Sequence, residues 1–199
     1  MATPVYVLAE EGSKIVDNPE AVWAARRVTV RGGKWYEARA TAFEHAISEG
    51  HGSVIIMAGT AELLHRAHWN GNGPETKLTL CSDNDKHGLW LYMDRLTRRF
   101  GHVYVPGVGA CLPWKTRRTH PWQYINNPTV PMVAAYRTSA LQSLSSLDGP
   151  LGKLLCGQGY DSFTLSDFFY QPYGGYVLDE TGSATTWNQA YERAKTLVL

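Results

Sequence analysis

Short apolar runs alternate along the chain with stretches in which apolar residues recur every three or four positions. Pro4–Ala9 (PVYVLA) reads as a strand. Asn18-Pro19-Glu20 has the form of a helix start, with an Asn cap, Pro at the first helical position and an acid in the first turn. That helix is expected to reach about Arg26, followed by a strand over Arg27–Val30 and a turn at Gly32-Gly33. Tyr36–Glu49 has helical period, with Ala42, Phe43, Ala46 and Ile47 on one face and glycines at 50 and 52 to end it. Ser53–Met57 (SVIIM) has the β-branched richness of a buried strand. Ala58-Gly59-Thr60 then makes a tight turn, and Thr60 is expected to cap a helix over Ala61–His68 with Leu63, Leu64 and Ala67 inward. After the connection NGNGP, Lys77–Cys81 alternates as a strand. Leu89–Phe100 carries an amphipathic stripe (Leu89, Tyr92, Met93, Leu96, Phe100), and His102–Val105 reads as one more strand.

Residues 36–105 thus alternate helix and strand three times, which predicts an α/β fold with a mostly parallel sheet flanked by helices. Ligands of such sheets sit at the carboxyl ends of the strands, and Gly59-Thr60 and Asp83/Asp85 are both expected there. The later part is less periodic. Residues 106–136 hold five of the ten prolines. Ser139–Leu147 suggests a short helix, Phe168–Asp179 a hairpin around Gly174-Gly175, and the residues from Thr186 a final helix opened by a Thr186/Gln189 capping box. The expected organisation is an α/β core over 1–113 and a C-terminal extension over 114–199, packed on the core as one domain overall.

Composition narrows the class. At 199 residues, 44% hydrophobic and 19% charged, the chain can bury a sizeable core. The net charge of +1 predicts no strong field, but Lys and Arg outnumber Asp and Glu 15 to 12 in residues 1–118 and trail 4 to 6 in 119–199. A polyanion site therefore belongs to the first part. Seven Trp and eleven Tyr supply contact surface as well as core. Three widely spaced Cys argue against a disulfide framework and for a reducing compartment. With no membrane-length apolar run and no signal-peptide pattern, a cytoplasmic protein is expected.

The chemistry concentrates in Thr76–Gly88, TKLTLCSDNDKHG. Asp83 and Asp85, one residue apart after a strand, form an anionic notch suited to a hard cation such as Mg²⁺ or Mn²⁺. The same residues also make a helix cap and polar turn, so both readings stand. Gly59-Thr60, before an expected helix, reads as a phosphate-approach loop or an ordinary turn. His65 and His68 share a face but lack further ligands for zinc. No G-x-S-x-G elbow is present.

Val54–Ala61 (VIIMAGTA) followed by Leu78–Gly88 (LTLCSDNDKHG) resembles the TOPRIM domain of bacterial-type primases, topoisomerases and some nucleases. The resemblance spans about residues 37–105, roughly a third of the chain. It implies a TOPRIM/Rossmann-like sheet and Mg-dependent phosphoryl or nucleotidyl transfer on a nucleotide or nucleic acid. Asp83 and Asp85 would hold the metal and Glu37 would be the general acid/base, although Ala38 follows it where the family has Gly. Lys86 would meet a phosphate. Arg98, Arg99, Lys115, Arg117 and Arg118 would track a nucleic-acid backbone, with Trp114 and Trp122 stacking bases. Two other functions fit the same residues. One is a metal-dependent sugar-nucleotide transferase using Asp-x-Asp. The other is a non-enzymatic module that binds a nucleotide, a protein partner or a second copy of the chain.

Overall fold

The computed structural model describes residues 3–17, 19, 23, 25–66, 78–106, 132–149, 151–165, 167–172, 176–178 and 184–186. Its centre is a six-stranded sheet in the order β2-β1-β3-β7-β6-β8. The strands are β1 (Val5–Glu10), β2 (Ala25–Val30), β3 (Ser53–Ala58), β6 (His102–Tyr104), β7 (Val133–Arg137) and β8 (Ser162–Thr164). β1 pairs in parallel with both β2 and β3, and β6 in parallel with β8. β7 runs against both its neighbours, so five strands point one way and one the other. The fold is therefore α/β with a mostly parallel sheet, as the periodicity predicts. β7, from beyond residue 114, lies inside that sheet rather than in an extension packed on it.

All six residues of β3 are buried, which requires cover on both faces of the sheet. Helix α1 (Trp35–Ser48) buries Ala42, Phe43 and Ala46, and Phe43 meets Tyr136 of β7 edge to face at 5.0 Å. Helix α2 (Asp83–Thr97) buries Leu89, Trp90 and Met93. Two short helices, α3 (Thr138–Gln142) and α4 (Leu151–Gly157), follow β7. Among the described residues, no helix is long and apolar enough to cross a membrane.

Several expected elements differ. Ala61–Arg66 is a strand, β4, not a helix; it pairs antiparallel with β5 (Leu78–Leu80) and β9 (Phe168–Pro172) in a second, three-stranded sheet. Ala61, Leu63 and Leu64 of β4 are buried, and the strand is fixed by its pairing on both sides. β5, expected in the parallel sheet, therefore belongs to the small antiparallel one. Ala25 and Arg26 are strand, so the helix expected from Asn18 does not reach Arg26; before it the Trp23 N–H donates to the Pro19 carbonyl at 2.8 Å. The expected hairpin is redistributed. β9 joins β4, while β10 (Tyr176–Leu178) pairs antiparallel with β11 (Ala184–Thr186), which places Thr186 in a strand rather than in a helix cap. The rest of the expected final helix lies outside the described residues.

Candidate functional site

In an open α/β sheet the ligand crevice forms where neighbouring strands lead their connections to opposite sides. Here that point lies between β1, which leads to β2 on one flank, and β3 on the other. The segment after β1 turns at Gly12, whose φ of +73° suits glycine, and ends at Asp17. It is fastened across the carboxyl edge by three contacts. The Val16 N–H donates to the Gly59 carbonyl at 2.9 Å. Asp17 Oδ2 accepts the Leu63 N–H of β4 at 2.6 Å. Asp17 Oδ1 meets Lys86 Nζ of α2 at 2.7 Å. β4 and the first turn of α2 thus meet on the Asp17 carboxylate, while Val16 beside it ties the same segment to the turn after β3.

Asp83 and Asp85 open α2, but they do not form one notch. Ser82 is the N-cap, and its Oγ accepts the Asp85 N–H at 3.3 Å. Asp85 Oδ2 in return accepts the Ser82 N–H at 2.8 Å and the Ser82 hydroxyl at 2.7 Å. This capping box turns Asp85 back onto its own helix start. Ser82's hydroxyl, then its backbone N–H and the nearby His65, hold the Asp85 carboxyl below its ordinary value despite some burial. Asp83 is 71% exposed and points its charge outward. His65 on β4 lies 3.6 Å from Asp85 Oδ2 and bonds Thr79 Oγ1 across the strand pair at 2.8 Å.

Lys86 stands between the acids, 2.7 Å from Asp17 and 3.7 Å from Asp83. Burial alone would depress its ammonium, but the hydrogen bond and charge of Asp17, with Asp83 behind it, outweigh burial and raise it. Beside it, burial pushes the Cys81 thiol up to about 12, aided by Asp85 and Asp17, so Cys81 is an inert core residue.

The residues expected to hold Mg²⁺ or Mn²⁺ do not fit such an ion. Among the described residues, no three His, Cys, Asp or Glu side chains are disposed to hold one. Asp85 is engaged by Ser82, both Asp17 oxygens are taken, and Asp83 stands alone beside an ammonium group.

The remaining expected residues disperse. No helix follows Gly59-Thr60, so the phosphate loop inferred from a helix start there does not form. Gly59 is needed for packing instead: a Cβ on it would sit 2.9 Å from Ala9 Cβ and 3.3 Å from the Leu8 carbonyl. Glu37 lies in the first turn of α1, ion-paired with Lys34 at 2.8 Å. It lines a groove of about 480 Å³ with Arg27, Arg31, Lys34 and Thr41, and neither Asp83 nor Asp85 is among the walls. Arg98 follows the last turn of α2, at the opposite end from Asp83, and Arg99 comes next, with its guanidinium 5.4 Å over the Phe100 ring. Arg98 pairs with Asp94 at 3.1 Å and lines a separate cavity of about 440 Å³ at the amino ends of the strands. Trp114, Lys115, Arg117, Arg118 and Trp122 lie outside the described residues. Asp17, Arg27, Arg31 and Lys34 were not singled out from sequence, and Asp17's distance from the end of β1 left no local signal.

No family model matches the chain, and no curated protein matches it. Among solved structures, the crystal structure of A197 from STIV is similar over 92% of this chain and 93% of that one, with a TM-score of 0.49 and 6% identity.

Proposed function

We propose that the chain is a nucleotide-dependent transferase that takes a nucleoside-diphosphate donor, specifically a sugar nucleotide, at the carboxyl edge of its parallel strands. The carrying observation is that the segment after β1 is fastened to the Gly59 turn through Val16 and to β4 and the α2 start through Asp17, at the switch point where α/β sheets hold ligands. The groove of Arg27, Arg31 and Lys34 opens beside β2 and the start of α1, and supplies cations for a diphosphate. Asp83, exposed and without a capping role, is an acceptor for sugar hydroxyls. A small donor is favoured over a nucleic-acid strand because, among the described residues, the expected cations do not form a track. Arg98 and Asp83 are separated by the whole of α2, roughly 22 Å for its length.

The test is calorimetric titration of the whole chain with UDP-, GDP- and ADP-sugars, the free diphosphates and a single-stranded oligonucleotide. Binding of a diphosphate or its sugar form, weakened about tenfold by Asp83→Asn for the sugar form only, is the expected result. Binding of the oligonucleotide alone would replace this reading with the nucleic-acid chemistry that the TOPRIM resemblance implies. Binding of none would overturn both.

A further inference from the structure

Asp83-Asn84-Asp85 has the residue types of a divalent-cation site, yet the charge that faces Asp83 is an ammonium group, which also pairs with Asp17. Lys86 and Asp17 are each only 13% exposed at their side chains, and Lys86 Nζ lies within 4 Å of both Asp17 and Asp83. We propose that Lys86 is the fixed counter-ion of the sheet's carboxyl edge, and that this edge neither needs nor takes a divalent metal.

The charge accounting supports this. Asp17 and Lys86 cancel each other. The Asp85 charge is spread over the Ser82 hydroxyl and amide at the positive end of α2. That leaves Asp83 as the one outward carboxylate of the turn, and a single carboxylate is a poor ligand set for a fully hydrated dication. To admit Mg²⁺, the Lys86 ammonium would have to leave a mostly buried ion pair, and Asp17 would have to give up the Leu63 N–H or share it. Mg²⁺ also demands octahedral oxygen ligation at close range, whereas an ammonium tolerates the looser distances seen here. The contact has a second use, because it ties the segment after β1 to α2.

Two measurements on the full chain test this. In the first, ¹⁵N-labelled protein is titrated with Mn²⁺ alone, and paramagnetic broadening is read at the amides of Asp17, Asp83 and Asp85. No selective broadening is expected below millimolar Mn²⁺ for the wild type. Lys86→Gln, which frees both acids, should gain Mn²⁺ affinity about tenfold, and Asp17→Asn/Lys86→Gln should lose that gain. Selective broadening of the wild type at micromolar Mn²⁺ would overturn the proposal, even if Lys86→Gln does not fold. The second measurement rests on the nucleotide reading: UDP binding is compared in EDTA and in Mg²⁺. Affinities equal within about twofold are expected. Binding that requires Mg²⁺ would overturn the metal-free site and leave the nucleotide reading standing. Absence of UDP binding in both buffers counts against the nucleotide reading, and the Mn²⁺ result then decides the fate of the counter-ion alone.

Discussion

The two ends of the central sheet both gather charged side chains, but they use them differently. At the amino ends, Thr3, Ser53 and Asp94 form a closed hydroxyl–carboxylate cluster, and Arg98 covers Asp94. Arg137 donates through Nε to the Thr97 carbonyl at 2.8 Å and through Nη2 to the Arg98 carbonyl, and so ends α2. The Arg137 guanidinium is spent on backbone carbonyls at a helix C-terminus, where cations are favoured for structural reasons, and the other groups are spent on Asp94. At the carboxyl ends, Asp17 holds three elements together, while Asp83 remains outward and unspent by the cap. A cavity with arginines is therefore not by itself the better ligand site. What distinguishes the carboxyl edge is that its polar groups stand at the switch point and that one of them, Asp83, is exposed and takes no part in the helix cap.

The largest expected effect that separates the two ends is acid sensitivity. His102, the first residue of β6, is fully buried among Tyr104, Tyr136 and Ser162. Burial, with the Arg39 charge added, lowers its imidazole to about 3. Its folded value lies below the unfolded one, so the neutral form's stability is fully present above about pH 6.5 and is lost as the pH falls towards 3. Denaturant unfolding should show a slope of up to about 1.4 kcal/mol per pH unit in that window, and His102→Phe should flatten it. An unchanged slope in the variant would assign the acid sensitivity elsewhere. Ligand binding at the carboxyl edge should be unaffected by that substitution.

The next effect concerns the carboxyl edge itself. Gly59→Ala places a Cβ against Ala9 and the Leu8 carbonyl, so it should cost about 2 kcal/mol in chemical unfolding and also weaken nucleotide binding, because β1 and β3 must part where the crevice forms. A stable variant that binds normally would show that the turn is not part of the site. The smallest effect belongs to Arg98→Ala. Its partner pair is an exposed i,i+4 pair, and removal should cost no more than about 0.5 kcal/mol and leave nucleotide binding unchanged. Loss of binding in Arg98→Ala would mean that the two ends are one site.

The contrast also explains what the sequence made legible. α1, α2 and β3 stand out because a helical stripe or a β-branched run is a local signal, and Ser53–Ala58 is buried throughout as its composition predicts. β4 departs from the expected helix because a short run with Leu63-Leu64 suits either period, and what makes it a strand is pairing with β9 about a hundred residues later. The Asp-x-Asp turn is legible in the sequence, but its partition between cap and surface is not. Asp85 serves the Ser82 cap through a three-residue spacing visible in the chain, whereas the Asp17–Lys86 contact crosses elements and follows only from the fold. The expected arginine track failed for a related reason: Arg98 follows from the helix stripe, but the stripe does not say that Asp83 and Arg98 face opposite edges of the sheet.

The most direct measurement is an amide chemical-shift map of the ¹⁵N-labelled chain on titration with a nucleoside diphosphate. The account predicts that shifts concentrate in residues 11–17, 59–60 and 82–87 and in the Arg27–Lys34 groove, with the amides of Thr3, Ser53, Asp94 and Arg137 unmoved. Shifts confined to that second set, at the amino ends of the strands, would contradict it.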